Sequence, residues 1–173
     1  SPDGTTWKER KSGIGHNLVG VTYANGMFVS VGKNGKIVTS FDGNWWVKRT
    51  YVLETWLNGV THGNDTFVTV GDNGIILTSS DGISWTKITS FTTNRLRTVK
   101  FLPSLTDISC SKSSSESKSS TGKFVLVGNS GTIFTSSDGT SWKNRTSGTA
   151  NNLTGITYGN NTFVTVGDNG TIL

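Results

Sequence analysis

The chain has 173 residues and a mass of 18.5 kDa, with 32% hydrophobic residues, 22 glycines, a net charge of +5 and a pI near 9.5. Leu, Ile, Val and Phe still make up about a quarter of it, above the ~20% below which chains stay disordered, so whole-chain disorder is excluded. The lone Cys110 rules out a disulfide framework and a cysteine-rich zinc cluster, and no apolar run reaches the ~18 residues of a membrane helix.

The chain opens on a box, Ser1-Pro2-Asp3-Gly4-Thr5-Thr6-Trp7. The pattern Ser-x-Asp-Gly-x-x-Trp returns at Ser40–Trp46, Ser79–Trp85 and Ser136–Trp142. Leu18–Tyr23 then alternates as a strand should, Ala24-Asn25-Gly26 turns the chain, and Phe28–Gly32 alternates again. Lys33-Asn34-Gly35 supplies the positive φ of a tight turn, Ile37–Ser40 reads as a third strand, and Trp45–Thr50 follows the box as a fourth. The string Phe-Val-x-Val-Gly recurs at Phe67, Phe124 and Phe163, so the same four-stranded unit repeats. Spacings between boxes are 39, 39 and 57 residues, which places one 18-residue insertion in the third copy.

A unit of this size with four short strands cannot bury both faces alone. Stacking such sheets radially is the β-propeller solution, so the sequence predicts an all-β propeller with four four-stranded blades per chain. The blades fall at about 17–50, 56–89, 95–146 and 152–173 plus 1–11 within one domain spanning 1–173. The N-terminal segment is expected to supply the outer strand of the last blade, because joining the ends leaves a circular Trp spacing of 38. Two chains forming one eight-bladed ring, and therefore a homodimer, is the alternative. The serine-rich insertion, 103–121, lacks the apolar content to order itself and is expected to be a disordered loop.

The boxes resemble the Asp-box, or BNR, repeat of sialidase-type propellers, here one residue shorter because Asp and Gly are adjacent. The whole unit, with Leu-x-Gly-Val-Thr-Tyr, Phe-Val-x-Val-Gly and the box, is more similar to the photosystem II stability/assembly-factor group of bacterial propellers. That resemblance implies a propeller fold, a soluble protein of bacterial type (cytoplasmic or exported), and an assembly role that uses a basic surface patch.

Asp3, Asp42, Asp81 and Asp138 are expected to accept hydrogen bonds from their own turns, and Trp7, Trp46, Trp85 and Trp142 to pack between sheets. Four equivalent hairpin copies argue for structure rather than catalysis or metal binding. A glycosidase needs two carboxylates at a set separation, and only Glu54 and Asp65 stand outside repeated turns or the insertion. No nucleophile elbow or phosphate loop appears, so no catalytic residue, metal or cofactor is assigned and the protein is read as a non-enzyme.

Departures from the repeat point to binding. Arg95, Arg97 and Lys100 replace neutral residues on the strand expected nearest the axis, with Glu54, Trp56 and His62 in the second copy beside it. Together they suggest a patch for an acidic protein or peptide segment. The sequence therefore favours a non-catalytic binding or scaffold propeller. A glycan-binding lectin and a degenerate sialidase-like glycosidase are the alternatives. A modest charge with no reading motif disfavours nucleic acid.

Overall fold

A computed structural model describes residues 1, 3–49, 54–103 and 122–173. The expected insertion at 103–121 lies, apart from Pro103, outside them. Blade one is β1 (Leu18–Ala24), β2 (Met27–Gly32), β3 (Ile37–Ser40) and β4 (Val47–Arg49). Blade two is β5 (Leu57–Gly63), β6 (Thr66–Gly71), β7 (Ile76–Ser79) and β8 (Thr86–Ile88). Blade three is β9 (Leu96–Pro103), β10 (Gly122–Gly128), β11 (Ile133–Ser136) and β12 (Lys143–Arg145). Each is an antiparallel meander in chain order. Blade four contributes β13 (Leu153–Gly159) and β14 (Thr162–Gly167), with a single Val166–Ile172 bridge beyond them. The first strands of successive blades pack side by side, β1 on β5, β5 on β9 and β9 on β13. The architecture is that of a β-propeller.

The glycine that ends every second strand has a steric cause. A Cβ on Gly32, Gly71, Gly128 or Gly167 would overlap the main-chain carbonyl of Asn17, Trp56, Arg95 or Asn152. That carbonyl accepts a hydrogen bond from the next N–H along the strand, at 2.9 Å for Asp72 to Trp56 and 2.8 Å for Asn129 to Arg95. The close approach thus ties the entry of each blade to the end of its second strand. The turn that follows places Asn34, Asn73, Ser130 and Asn169 in the left-handed region, with φ between 53° and 57°. Gly35, Gly74 and Gly131 in the same turns donate to carbonyls of the linker into the next blade, Thr55, Asn94 and Asn151. Local turn chemistry therefore also fixes where the following blade starts.

Inner strands meet almost backbone to backbone. A Cβ on Gly20 would lie 3.3 Å from the Cα of Gly59, and one on Gly59 3.3 Å from the Cα of Thr98. Outside that line, two apolar clusters hold the blades together. Met27, Val29 and Ile37 of blade one pack with Phe67, Leu77 and Trp85 of blade two. Val68 and Ile76 of blade two pack likewise with Phe124, Phe134 and Trp142 of blade three. Within each of these blades the second-strand Phe has its box Trp at a ring-centroid distance of 6.3 to 6.5 Å. The box of one blade therefore presses on the second and third strands of the blade before it.

The boxes build themselves from local hydrogen bonds. In the box of blade two, Ser79 Oγ donates to Asp81 Oδ1 at 2.9 Å and accepts from the Gly82 N–H at 2.8 Å. Asp81 Oδ1 also accepts from the N–H groups of Ile83 and Ser84, both at 2.8 Å, and Trp85 Nε1 donates to the Gly82 carbonyl at 3.2 Å. The N–H of Trp45, then that of Asn44, holds the Asp42 carboxyl down at about 2. The N–H groups of Ser84 and Ile83 hold Asp81 at about 2 in the same way. The Thr5 hydroxyl and the Thr5 and Thr6 N–H groups keep Asp3 below the carboxylate range. At Asp138 burial pulls upward, but the N–H groups of Ser141 and Thr140 and the Ser136 hydroxyl outweigh it.

Because these folded-state values lie below the unfolded 3.8, the folded chain binds fewer protons than the unfolded one in acid. The stability they confer is complete above the unfolded value and is lost as pH falls through the folded one. Thermal melting is expected to be flat from about pH 7 to 5 and to fall steeply between about pH 4 and 2. Asp81→Asn should flatten that slope.

Residues 1 and 3–11 contain no strand, and β13 and β14 form a two-stranded sheet. Each box precedes the inner strand of the next blade by a short linker. Ser1–Trp7 accordingly stands where the outer part of a blade before blade one would stand, beside Leu18, Val21 and Phe28. Trp7 is 78% exposed there, whereas Trp85 and Trp142 are buried and Trp46 half-buried.

Candidate functional site

The residues between the second and third strands of one blade meet those at the entry of the next. At the first junction the Lys33 ammonium lies 5.6 Å from the Trp56 ring centroid, a cation–π contact. At the second, Asp72 Oδ1 accepts from Arg95 Nε at 2.9 Å, and Asn58 Oδ1 accepts from Arg95 Nη2 at 3.2 Å. At the third, the Ser130 N–H donates to Asn152 Oδ1 at 3.1 Å. These contacts run along one edge of the propeller, one per junction, and form a polar rim around the ends of the inner strands.

Besides Lys33 of blade one, the rim draws positive charge from Arg95 and Arg97 at the entry of blade three. Asn58 Nδ2 bridges Asp72 Oδ1 at 2.7 Å and the Leu96 carbonyl at 2.8 Å, fixing the acceptor that holds Arg95. Arg97 Nε donates to Asn129 Oδ1 at 2.7 Å. Asn129 occupies the place that Asp72 and Asp168 hold in blades two and four, so Arg97 has a neutral partner where a carboxylate would cancel its charge. A guanidinium has five N–H donors. Arg95 commits two to Asp72 and Asn58 and Arg97 commits one to Asn129, which leaves the others without a protein partner among the described residues. Arg95 is 43% exposed in its side chain.

Of the residues expected to form one patch, the structure brings Trp56, Arg95 and Arg97 to this rim. Glu54 is exposed on the linker just ahead of Trp56. Lys100 lies three residues farther along β9, opposite Val125 of β10, about 10 Å from Arg97 at strand rise. His62 stands near the far end of β5, where its ring packs at 4.4 Å on Phe67 and its Nε2 lies 3.4 Å from Asn25 Nδ2. Burial lowers its pKa against the pull of Asp65, which makes it a neutral stand-in for the tyrosines that stack at this position in blades one and four.

Asp72, Asn58 and Asn129 carry no mark in a single copy of the repeat. Their signal is cross-blade. Asp72 of one copy meets Arg95 at the entry of the next, and Lys33 meets Trp56 in the same relation.

Each box aspartate spends its carboxylate on its own turn, and a group held at about 2 cannot serve as a general acid near neutrality. Among the described residues no group of three or more His, Cys, Asp or Glu side chains is gathered to hold a metal ion. Among the described residues no helix is long and apolar enough to cross a membrane.

No family model matches the chain, and neither does any curated protein. Among solved structures it is similar to YCF48 bound to D1 peptide, with a TM-score of 0.65 at 19% identity over 88% of this chain. It shares the fold of YCF48. YCF48 from Cyanidioschyzon merolae superposes with a TM-score of 0.61 at 13% identity over 91% of this chain. The chain spans about half the length of each, 47% and 50%.

Proposed function

We propose that this chain is a non-catalytic propeller that captures an extended, acidic segment of a protein partner on the rim where blades two and three meet. The observation that carries the reading is the pair Arg95 and Arg97, held in place by neighbouring polar groups with guanidinium donors still unspent. Trp56, at the entry of the neighbouring blade on the same rim, is half-exposed. Such a site suits main-chain carbonyls and carboxylates of a peptide lying across it, because arginine pairs with planar oxygen acceptors two at a time. YCF48 in complex with a D1 peptide gives the same fold a peptide-binding precedent. An assembly role of that kind, with boxes of the Asp-box type as its scaffold, is the finer form of the reading.

An array of acidic and neutral peptides tests it. The acidic members should bind with an affinity that falls as salt rises. Arg95→Glu/Arg97→Glu should weaken that binding about tenfold or more, since each charge-assisted hydrogen bond contributes ~1.5–3 kcal/mol. Exposed ion pairs contribute ~1 kcal/mol or less to folding, so the variant should stay folded. Unchanged affinity in the folded variant would remove the rim from the account.

A further inference from the structure

Blades two and three make the same hydrogen bond, from the first strand to the turn after the second, with opposite charge. In blade two the donor is Asn58, the residue after Leu57, and the acceptor is Asp72, the residue after Gly71, at 2.7 Å. In blade three the same two positions hold Arg97, after Leu96, and Asn129, after Gly128, and the bond is again 2.7 Å. A neutral donor on a carboxylate has become a cation on a neutral carbonyl.

The two bonds differ in what balances them. Asp72 has a counter-charge, because Arg95 Nε at the entry of the next blade donates to Asp72 Oδ1 at 2.9 Å. Among the described residues that is the only ion pair, so no carboxylate answers Arg97. Arg97 is also half-buried. Taking a charge out of water carries a cost that a hydrogen bond to a neutral amide offsets only in part. The same partial loss of water strengthens its attraction for an anion. With Nε held by Asn129, both Nη nitrogens are left for a planar acceptor with two oxygens. Within this set Arg95 and Asp72 cancel, Asn58 and Asn129 are neutral, and the remaining charge is that of Arg97.

Given peptide capture at this rim, on which the assignment rests, we infer that Arg97 anchors one carboxylate of the captured segment and that Asn129 sets the preference for acidic over neutral ligands. Arg95 has a different part: its charge is spent on Asp72, and the donors it keeps serve neutral main-chain carbonyls. Aspartate stands at the position of Asn129 in blades two and four. In blade three it would close the anion site by supplying the carboxylate from within. The amide orients the guanidinium without neutralising it.

Two peptides separate these roles: the tightest-binding acidic member of the array and its analogue with every carboxylate changed to a carboxamide. Titration calorimetry on the full chain should favour the acidic peptide by about tenfold or more. Asn129→Asp should bring the two affinities together at an unchanged melting temperature, since aspartate already fills this position in two other blades. Asn144→Asp makes the same change of charge on the outer strand β12 and should leave the preference intact. Asp72→Asn/Arg95→Gln removes a cancelled pair and no net charge, so it should shift both affinities alike and keep the preference. A preference that survives Asn129→Asp, or one lost in Asn144→Asp or in Asp72→Asn/Arg95→Gln, would overturn the assignment while leaving peptide binding at the rim standing. No preference in the unaltered chain would remove both.

Discussion

Replacing Gly71 by valine is expected to destabilise the protein by about 3 kcal/mol or more. Gly71 has extended backbone geometry that any residue can adopt, so the penalty is one of contact. Its Cβ would overlap the Trp56 carbonyl oxygen and lie 2.8 Å from Ile75 Cγ2. Relieving the overlap means moving the entry of β5 away from β6, which breaks the 2.9 Å bond from the Asp72 N–H to that carbonyl. Overpacking costs ~1–3 kcal/mol and an orphaned buried backbone group ~1–3 more. For a chain of this size each kcal/mol lowers the melting temperature by roughly 2–4 °C, so differential scanning calorimetry should show a fall of about 6–12 °C. The same shift should carry Asp72 away from Arg95, so Gly71→Val should also weaken peptide binding at the rim.

Trp85→Ala is expected to cost about 3–5 kcal/mol, as large-to-alanine changes at buried aromatic sites do. The indole closes the junction between blades one and two, against Met27, Val29 and Ile37 on one side and Phe67 on the other. Comparison with the other boxes makes the test sharper. Trp142 is buried in the equivalent place and should cost as much, Trp46 is half-buried and should cost ~1–3 kcal/mol, and Trp7 should cost the single chain almost nothing. One motif, Ser-x-Asp-Gly-x-x-Trp in all four copies, is thus expected to give a graded series read by urea unfolding. Equal losses at all four positions would mean that the boxes act through their own turns rather than through the junctions they fill.

Much of the fold was legible because it is written several times. The Asn-Gly turns, the glycine ending Phe-Val-x-Val-Gly and the box each solve a local problem, and local solutions leave a fixed spacing behind. What repetition could not reveal is which copies have a neighbour. Trp7 and Trp85 sit in the same motif, yet one is exposed and one buried, because burial depends on the adjoining blade and not on the box. The candidate site was legible only in part for a related reason. His62 and Trp56 are six residues apart in sequence, but a strand rises ~3.3 Å per residue, which sends them to opposite ends of β5. Trp56 and Arg95, distant in the sequence, start neighbouring blades and share a rim.

The rim also explains why the departures from the repeat cluster as they do. Scaffold positions must satisfy the same packing in every blade, whereas the pairs Lys33–Trp56 and Asp72–Arg95 are free to differ from junction to junction. Asn129 opposite Arg97 gives that guanidinium a neutral partner in blade three.

Amide hydrogen exchange with and without a bound acidic peptide tests the central claim most directly. Protection is expected at Trp56–Asn58, Arg95–Arg97 and Asn129, with the outer strands β4, β8 and β12 unchanged. Protection confined to those outer strands would contradict the account.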